Sequence, residues 1–354
     1  MSDHAPIRVL IIGSSFGGKV TAPGFASDPA FRVVGMASGH AESAKRVAAE
    51  QGIPYATDDW KKMLEEVEAD LVAIATPVDL HYPMARAALE RKRHVLCEKP
   101  FALNVAQAKE LDSLARSQGV VNVVNHEFRH QPARATLTRW IEEGKLGRLE
   151  HVTMSTRFPG WARDPSRRLT WLTEKDRGGG MLGALGSHDI DSLILWGGPI
   201  RRVFCRLRHL ASTAPGVTPA HQAITAEDCY SLLLEYRSGA TAVIDAFGGA
   251  HVRQERIEAF GSDGSLAVLD GERIGRPTAS GGLDKIEIPK ELRLEPTPAA
   301  PLIAPFRVKV AMIRDAIRDG KGASPTFADG VEVQRVLDSA RLSDRMGQWV
   351  EIEE

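Results

Sequence analysis

Apolar residues come in short, solid runs through the first third of the chain. Residues 8–12, 31–37, 71–75, 94–97 and 120–125 read as strands buried on both faces, the pattern of a parallel sheet. Between them, apolar residues recur at helical spacing. Residues 41–51 stop at Gly52, a residue suited to the left-handed position just past a helix, and residues 104–118 open with Asn104 and Gln107 at capping-box spacing and stop at Gly119. Strand alternating with helix predicts an α/β layer structure of the dinucleotide-binding type.

Beyond Pro132 the rhythm changes. Helices at 133–143 and 185–196 flank a glycine-rich hinge, Gly178-Gly179-Gly180. Runs at 201–209, 230–236, 240–247, 256–260 and 266–269 alternate or are aliphatic, and turn pairs such as Ser238-Gly239 and Asp263-Gly264 separate them. That pattern predicts a largely antiparallel sheet. Pro296, Pro298, Pro301 and Pro305 make 295–305 a loop, and helices at 306–319 and 329–346 follow. A length of 354 residues exceeds one comfortable core, so the expected division is a nucleotide-binding domain over 1–126 and a second, substrate-binding α+β domain over 127–354.

Composition narrows the function classes. With 45 basic and 46 acidic residues the formal net charge is −1, which offers no long-range field to nucleic acid or an acidic membrane. No apolar run approaches the roughly 20 residues of a membrane span, and no basic segment with an extended apolar stretch marks a secretory leader, so the expected location is the cytoplasm. Cys97, Cys205 and Cys229 lack CxxC spacing, and the 11 histidines show neither HExxH nor three-histidine ligand spacing. Neither a disulfide framework nor a metal site is expected.

Three constellations carry chemistry. After the first strand, Gly13-Ser14-Ser15-Phe16-Gly17-Gly18 matches GxGxxG at its first and last positions, with Ser15 at the middle glycine. The first glycine makes a tight turn, the last permits close helix packing, and serine is the smallest replacement that still donates a hydrogen bond to a pyrophosphate. About 20 residues on, where an acid would bind the 2′-hydroxyl of NAD, stands Ser38. A hydroxyl does not repel a 2′-phosphate, which puts NADP ahead of NAD, with Lys19, Lys45 or Arg46 as supporting cations. Ala75, at the end of the 71–75 run, and Thr76, Pro77 and His81 after it lie along the same crevice. His81 reads as a cofactor contact or a helix start.

The second constellation is Glu98-Lys99-Pro100, delivered by a buried strand. Proline disfavours helix in the residue before it, so the lysine is held where the strand ends. The third is the stretch from Gly178 to Asp191, in which His188 precedes Asp191 by three residues on one helical face. Local sequence leaves two readings of His188 open, a satisfied core histidine or a general base.

Together these residues resemble the Gfo/Idh/MocA family, the glucose-fructose oxidoreductase and inositol dehydrogenase group. Also similar are the segment 125–129, which includes Arg129, and the ending Pro325-Thr326-Phe327-Ala328-Asp329-Gly330. The resemblance implies a Rossmann domain followed by an open-faced, mostly antiparallel sheet with helices on one side. It implies hydride transfer between NAD(P) and a secondary alcohol or ketone, with Lys99 and His188 at the nicotinamide, and a homodimer or homotetramer formed through the sheet. Family members often carry an aspartate four residues before the histidine. This chain has Ala184 there, leaving Asp191 or Asp189 as substitutes, or the lysine and histidine alone.

Substrate selectivity is expected from 158–177, where Trp161, Arg163, Arg167, Arg168, Trp171 and Asp176 cluster. Aromatic faces and guanidinium groups suit a sugar, an inositol or a related polyol. Two other functions remain open at this level: glycoside cleavage with a retained cofactor, and a cofactor-binding sensor without turnover.

Overall fold

The apolar runs of the first third become six strands: β1 (Ile7–Ile12), β2 (Phe31–Ala37), β3 (Tyr55–Thr57), β4 (Leu71–Ile74), β5 (His94–Cys97) and β6 (Asn122–Val124). The structure, a computed structural model, describes residues 5–162, 169–210, 224–297 and 300–353. The six strands form one parallel sheet in the order β3-β2-β1-β4-β5-β6, the doubly wound arrangement. Side chains alternate between faces along a strand. Val9 and Ile11 therefore enter one buried cluster while Leu10 and Ile12 enter another.

Helices cover both faces. Of α1 (Ala22–Ala26), α2 (Ala41–Gln51), α3 (Trp60–Glu66), α4 (His81–Glu90) and α5 (Val105–Gln118), the last three pack Met63, Met84 and Leu111 with Leu10. The first two pack Phe25 and Val47 with Val9, joined by Phe306 and Ile313 from the helix Ile303–Asp319. Asn104 caps α5 by accepting from the Gln107 amide at 3.0 Å, while the Gln107 side chain accepts from Leu103 rather than from Asn104. Gly52 and Gly119 end α2 and α5 with φ of 66° and 64°, in the left-handed region where glycine costs least.

The second sheet has nine strands: β7 (Leu149–Pro159), β8 (Ile200–Arg208), β9 (Cys229–Tyr236), β10 (Thr241–Ala250), β11 (Gln254–Gly261), β12 (Gly264–Leu269), β13 (Arg273–Pro277), β14 (Leu283–Lys285) and β15 (Val350–Glu351). Their order is β14-β13-β12-β11-β7-β10-β9-β8-β15, antiparallel among the described residues except for the β7 and β10 pair. Among the described residues only one face is covered. Met154, Leu232, Ile244 and Ile257 pack with Leu137 of α6 (Pro132–Glu142) and Ile190 of α7 (Ser187–Gly197), whereas the outward Leu233 is 44% exposed.

The C-terminal helices are α8 (Ile303–Asp319) and α9 (Phe327–Met346). Two compact units result: Met1–His130 with Leu294–Val331, and Gln131–Arg293 with Glu332–Glu354. The chain therefore returns to the first unit, where a single cut after residue 126 leaves α8 in the second. Phe306 explains the return. Its ring meets Phe25 edge-on at 5.7 Å and fills the space a side chain on Gly24 would need. One expectation is corrected here: 295–305 is not a loop throughout, because α8 already begins at Ile303. Pro305 lies in its first turn, where a helix does not use the missing N–H. Strand β7, central to the second sheet, had no strong pattern, since Val152 and Met154 are its only fully buried residues. Among the described residues no helix is long and apolar enough to cross a membrane.

Candidate active site

Four chain segments meet along one edge of the parallel sheet. The residue after each strand still pairs with its neighbour: Gly13 donates to the Ala37 carbonyl at 2.8 Å, Ala75 to Ile12 at 2.7 Å, Glu98 to Ile74 at 2.9 Å and Asn125 to Cys97 at 2.8 Å. Gly13, Ala75, Glu98 and Asn125 thus stand in a row at the carboxyl ends of the strands, where open α/β sheets bind ligands.

At one end of that row is the nucleotide loop. Gly13 has φ +113°, and a Cβ there would overlap the Ala75 carbonyl, so only glycine keeps β1 and β4 this close. Gly17 and Gly18 abut Ile11 and Val47, which brings the following helix down onto the sheet. That helix starts as a π-helical turn, Gly17–Thr21, a form frequent at functional sites. Ser15 is exposed at the loop tip and Phe16 packs against the core of this unit. A tight glycine turn, an exposed serine and a helix start lying next to the sheet fit a dinucleotide pyrophosphate. Ser38, just beyond β2, shares a 2.8 Å hydrogen bond with Ser14, so two hydroxyls stand together at the end of β2. Lys45 and Arg46 pair with Glu42 and Glu50, each at 3.1 Å on the exposed side of α2.

Further along the row, Lys99 and Pro100 follow β5 as expected. Glu98 accepts from the Asn125 amide at 2.5 Å. Burial, reinforced by Glu127, pushes the Glu98 carboxyl up to about 8, with Lys99 and Asn125 pulling it down. His81 is the first residue of α4 and is fully buried, with its ring nitrogens against the carbonyls of Thr76 and Pro100. Arg129 bonds Ser324 at 2.9 Å and reaches Asp329 at 3.4 Å, which ties the segment after β6 to the residues before α9 and to its first turn.

The second unit holds the histidine. Met181, Leu182, Gly183, Ala184 and Gly186 are buried, and Leu182–Gly186 is again π-helical, running directly into α7 with His188 in its first turn and Asp191 just beyond it. Glu227 orients this entrance. Its carboxylate accepts from the Leu182 amide at 3.0 Å and occupies the space beside Gly180, whose φ is +109°.

Asp189 is bound elsewhere. It accepts from Arg134 at 3.1 Å and from Tyr230 at 3.3 Å, while Arg134 also donates to Glu255 at 2.5 Å and to Ser192 at 3.2 Å. Burial and the second carboxylate push Asp189 up to about 6 against the pull of Arg134. Arg134, Glu227 and Glu255 escaped sequence reasoning. A lone arginine inside an amphipathic helix and two glutamates in polar surroundings carry no local signal of burial.

Trp161 meets Phe158 edge-on at 6.0 Å and packs on Gly248, and Trp171 opens a short turn capped by Thr170. Arg163, Arg167 and Arg168 lie outside the described residues. Lys99 belongs to the first unit and His188 to the second.

Comparison with known proteins agrees with this geometry. Residues 7–126 match the oxidoreductase family with an NAD-binding Rossmann fold, and residues 135–267 match the GFO/IDH/MocA C-terminal domain. Levoglucosan dehydrogenase of Pseudarthrobacter phenanthrenivorans is 28% identical over 98% of each chain. A crystal structure of an oxidoreductase domain protein from Kribbella flavida superposes with TM-score 0.87 at 30% identity, covering 99% of this chain and 100% of that one. Levoglucosan dehydrogenase in complex with NADH and levoglucosan gives TM-score 0.87 at 25% identity, with the same coverage. With both its nucleotide-binding half and its sheet half matched, the chain belongs to the Gfo/Idh/MocA family and is an NAD-binding oxidoreductase of the sugar and polyol dehydrogenase type.

Proposed function

We propose that this protein interconverts a secondary alcohol and a ketone on a sugar, an inositol or a related polyol, with Lys99 and His188 at the reacting carbon. The observation that carries the reading is the row of strand-end residues that puts Glu98-Lys99-Pro100 on the same side of the sheet as the nucleotide loop, further along the row. Bound NAD(P) supplies the carbon that accepts or returns hydride. In the oxidative direction His188 takes the hydroxyl proton as the carbinol C–H bond breaks, and Lys99 donates a hydrogen bond to the oxygen while charge develops on it. In reduction His188 returns that proton. The loop from Gly13 to Gly18 holds the pyrophosphate through backbone amides and Ser15, with Thr76 and Pro77 lining the next turn.

NADP is placed ahead of NAD because hydroxyls, from Ser14 and Ser38, stand where a carboxylate would reject the 2′-phosphate. Trp161 and Trp171 supply aromatic faces for a polyol, and Asp191 is the acid available to orient His188. The outward face of the second sheet, where Leu233 is exposed among polar neighbours such as Ser231, Thr241 and Asp245, is the surface for self-association.

A thermal-shift panel of NAD, NADH, NADP and NADPH, alone and with a polyol library, tests the proposal, since ligands of the folded state raise the melting temperature by mass action. A rise with a dinucleotide, a further rise with a polyol and dinucleotide reduction by that polyol support it. Dinucleotide binding without turnover on any polyol would favour the sensor reading instead. Levoglucosan and L-sorbose are the first to test, because both are seen bound to a relative.

A further inference from the structure

His81 does more than begin a helix. Its ring is fully buried, with Nδ1 3.0 Å from the Pro100 carbonyl oxygen and Nε2 2.9 Å from the Thr76 carbonyl oxygen. Those two carbonyls belong to different turns. Thr76-Pro77 follows β4, and Lys99-Pro100 follows β5. The backbone ladder joining the two strands ends with Glu98 on Ile74, so beyond that bond the turns diverge and need another link. Met84, one helical turn after His81 on the same face, adds a contact to the Thr76 turn by accepting from the Thr76 hydroxyl through its sulfur at 3.6 Å.

The geometry points to His81 as a positioning residue that holds the Lys99 turn against the Thr76 turn and so fixes where the Lys99 ammonium is presented. This rests on the proposed role of Lys99. Carbonyl oxygens only accept, so each contact needs a proton on the nitrogen that makes it. A neutral ring makes one of the two links and a doubly protonated ring makes both. Burial outweighs the carbonyls of Thr76, Pro100 and Phe101 and the carboxylate of Asp79 and holds the ring below its ordinary pKa, which favours the neutral ring and a single link. The link to Pro100 is the one that bears on Lys99, because Pro100 is its chain neighbour.

Side-chain amides separate the two links. His81→Asn places a donor near the position of Nδ1, His81→Gln places one near Nε2, and His81→Leu supplies neither. Hydrogen exchange of the cofactor-free protein, read on peptides covering residues 97–102, is the first measurement. The expectation is faster exchange in the Gln and Leu variants and near wild-type exchange in the Asn variant, with the rest of α4 unchanged. The second is turnover with whichever polyol the wild type oxidises. The Gln and Leu variants should lose about 10- to 10²-fold in kcat, the scale set by a misplacement of about 1 Å, with the KM for cofactor little altered and kcat largely restored by Asn.

Equal exchange at 97–102 in all three variants would overturn the inference, as would a uniform fall in melting temperature with no difference between Asn and Gln. Faster local exchange with unchanged kcat would leave the link standing and overturn the role given to Lys99.

Discussion

The Arg134 guanidinium lies 3.1 Å from the Asp189 carboxylate, one residue along α7 from His188, and the same nitrogen serves Glu255. Both Arg134 and Asp189 are buried, so the ion pair anchors the histidine helix to α6 and β11 from inside the second unit. Removing one partner leaves uncompensated buried charge. Arg134→Met should therefore cost about 3–5 kcal/mol in chemical denaturation. Adding Asp189→Asn and Glu255→Gln should recover part of that loss. A cost below about 1 kcal/mol for Arg134→Met would mean that the carboxylates find other partners.

Lys99→Met should lower turnover by about 10²-fold or more, the loss typical of removing a preorganised donor to a developing oxyanion. Calorimetric titration should find cofactor affinity nearly unchanged, because the pyrophosphate loop lies at the other end of the row. A parallel loss of binding and turnover would move Lys99 from the reacting centre to the cofactor.

Replacing Ser38 with Asp puts a carboxylate at the ribose end of β2. If NADP is the native ligand, its affinity should fall far more than that of NAD, because the new charge repels the 2′-phosphate. Isothermal titrations giving equal losses for both would show that Ser38 does not read the ribose.

Two glycines should resist replacement and a third should not. Gly13→Ala and Gly180→Ala place a Cβ into the Ala75 carbonyl and the Glu227 carboxylate, at φ values of +113° and +109° that already disfavour alanine. Both should lower melting temperature, the first abolishing dinucleotide binding as well. At Gly322 a Cβ meets nothing within 4 Å, so Gly322→Ala should change stability by no more than about 0.5 kcal/mol.

Stability should fall as pH rises through the neutral range. Glu98 keeps its proton until about 8 against an ordinary value of 4.5, and Asp189 until about 6 against 3.8. Both stabilise the fold most below their ordinary values, and that contribution is lost as pH climbs through the folded ones. His130 acts at the acid end. Burial, with Lys309 and Arg129, pushes it down to about 3, so stability is lost as pH falls from 6.5 through that value. Glu98→Gln should flatten the decline between pH 4.5 and 8, measured as the difference in urea-unfolding free energy from wild type. A difference that stays constant with pH would mean Glu98 is ionised throughout.

Wherever a physical rule acts over a few neighbouring residues, the amino-acid order alone determined the outcome. Unbroken apolar runs specified strands covered on both faces, and β2 and β5 occupy the residues expected. Glycines past helices, the serine-bearing nucleotide loop, and Glu98-Lys99-Pro100 at a strand end were legible for the same reason. Strand β7 was not, because its partners β10 and β11 decide its burial and only two of its residues are deeply apolar. The return of α8 to the first unit was not either, since an amphipathic face does not name the surface it will cover. The tertiary structure alone decided the fate of the polar side chains. Asp189, one of two acids named as substitutes for the aspartate missing at Ala184, is taken by Arg134 from 55 residues away, and His81 is consumed by carbonyls on two turns. A buried charge or ring takes its partners from whatever the packing brings within hydrogen-bond reach, and that distance is set in space, not along the chain.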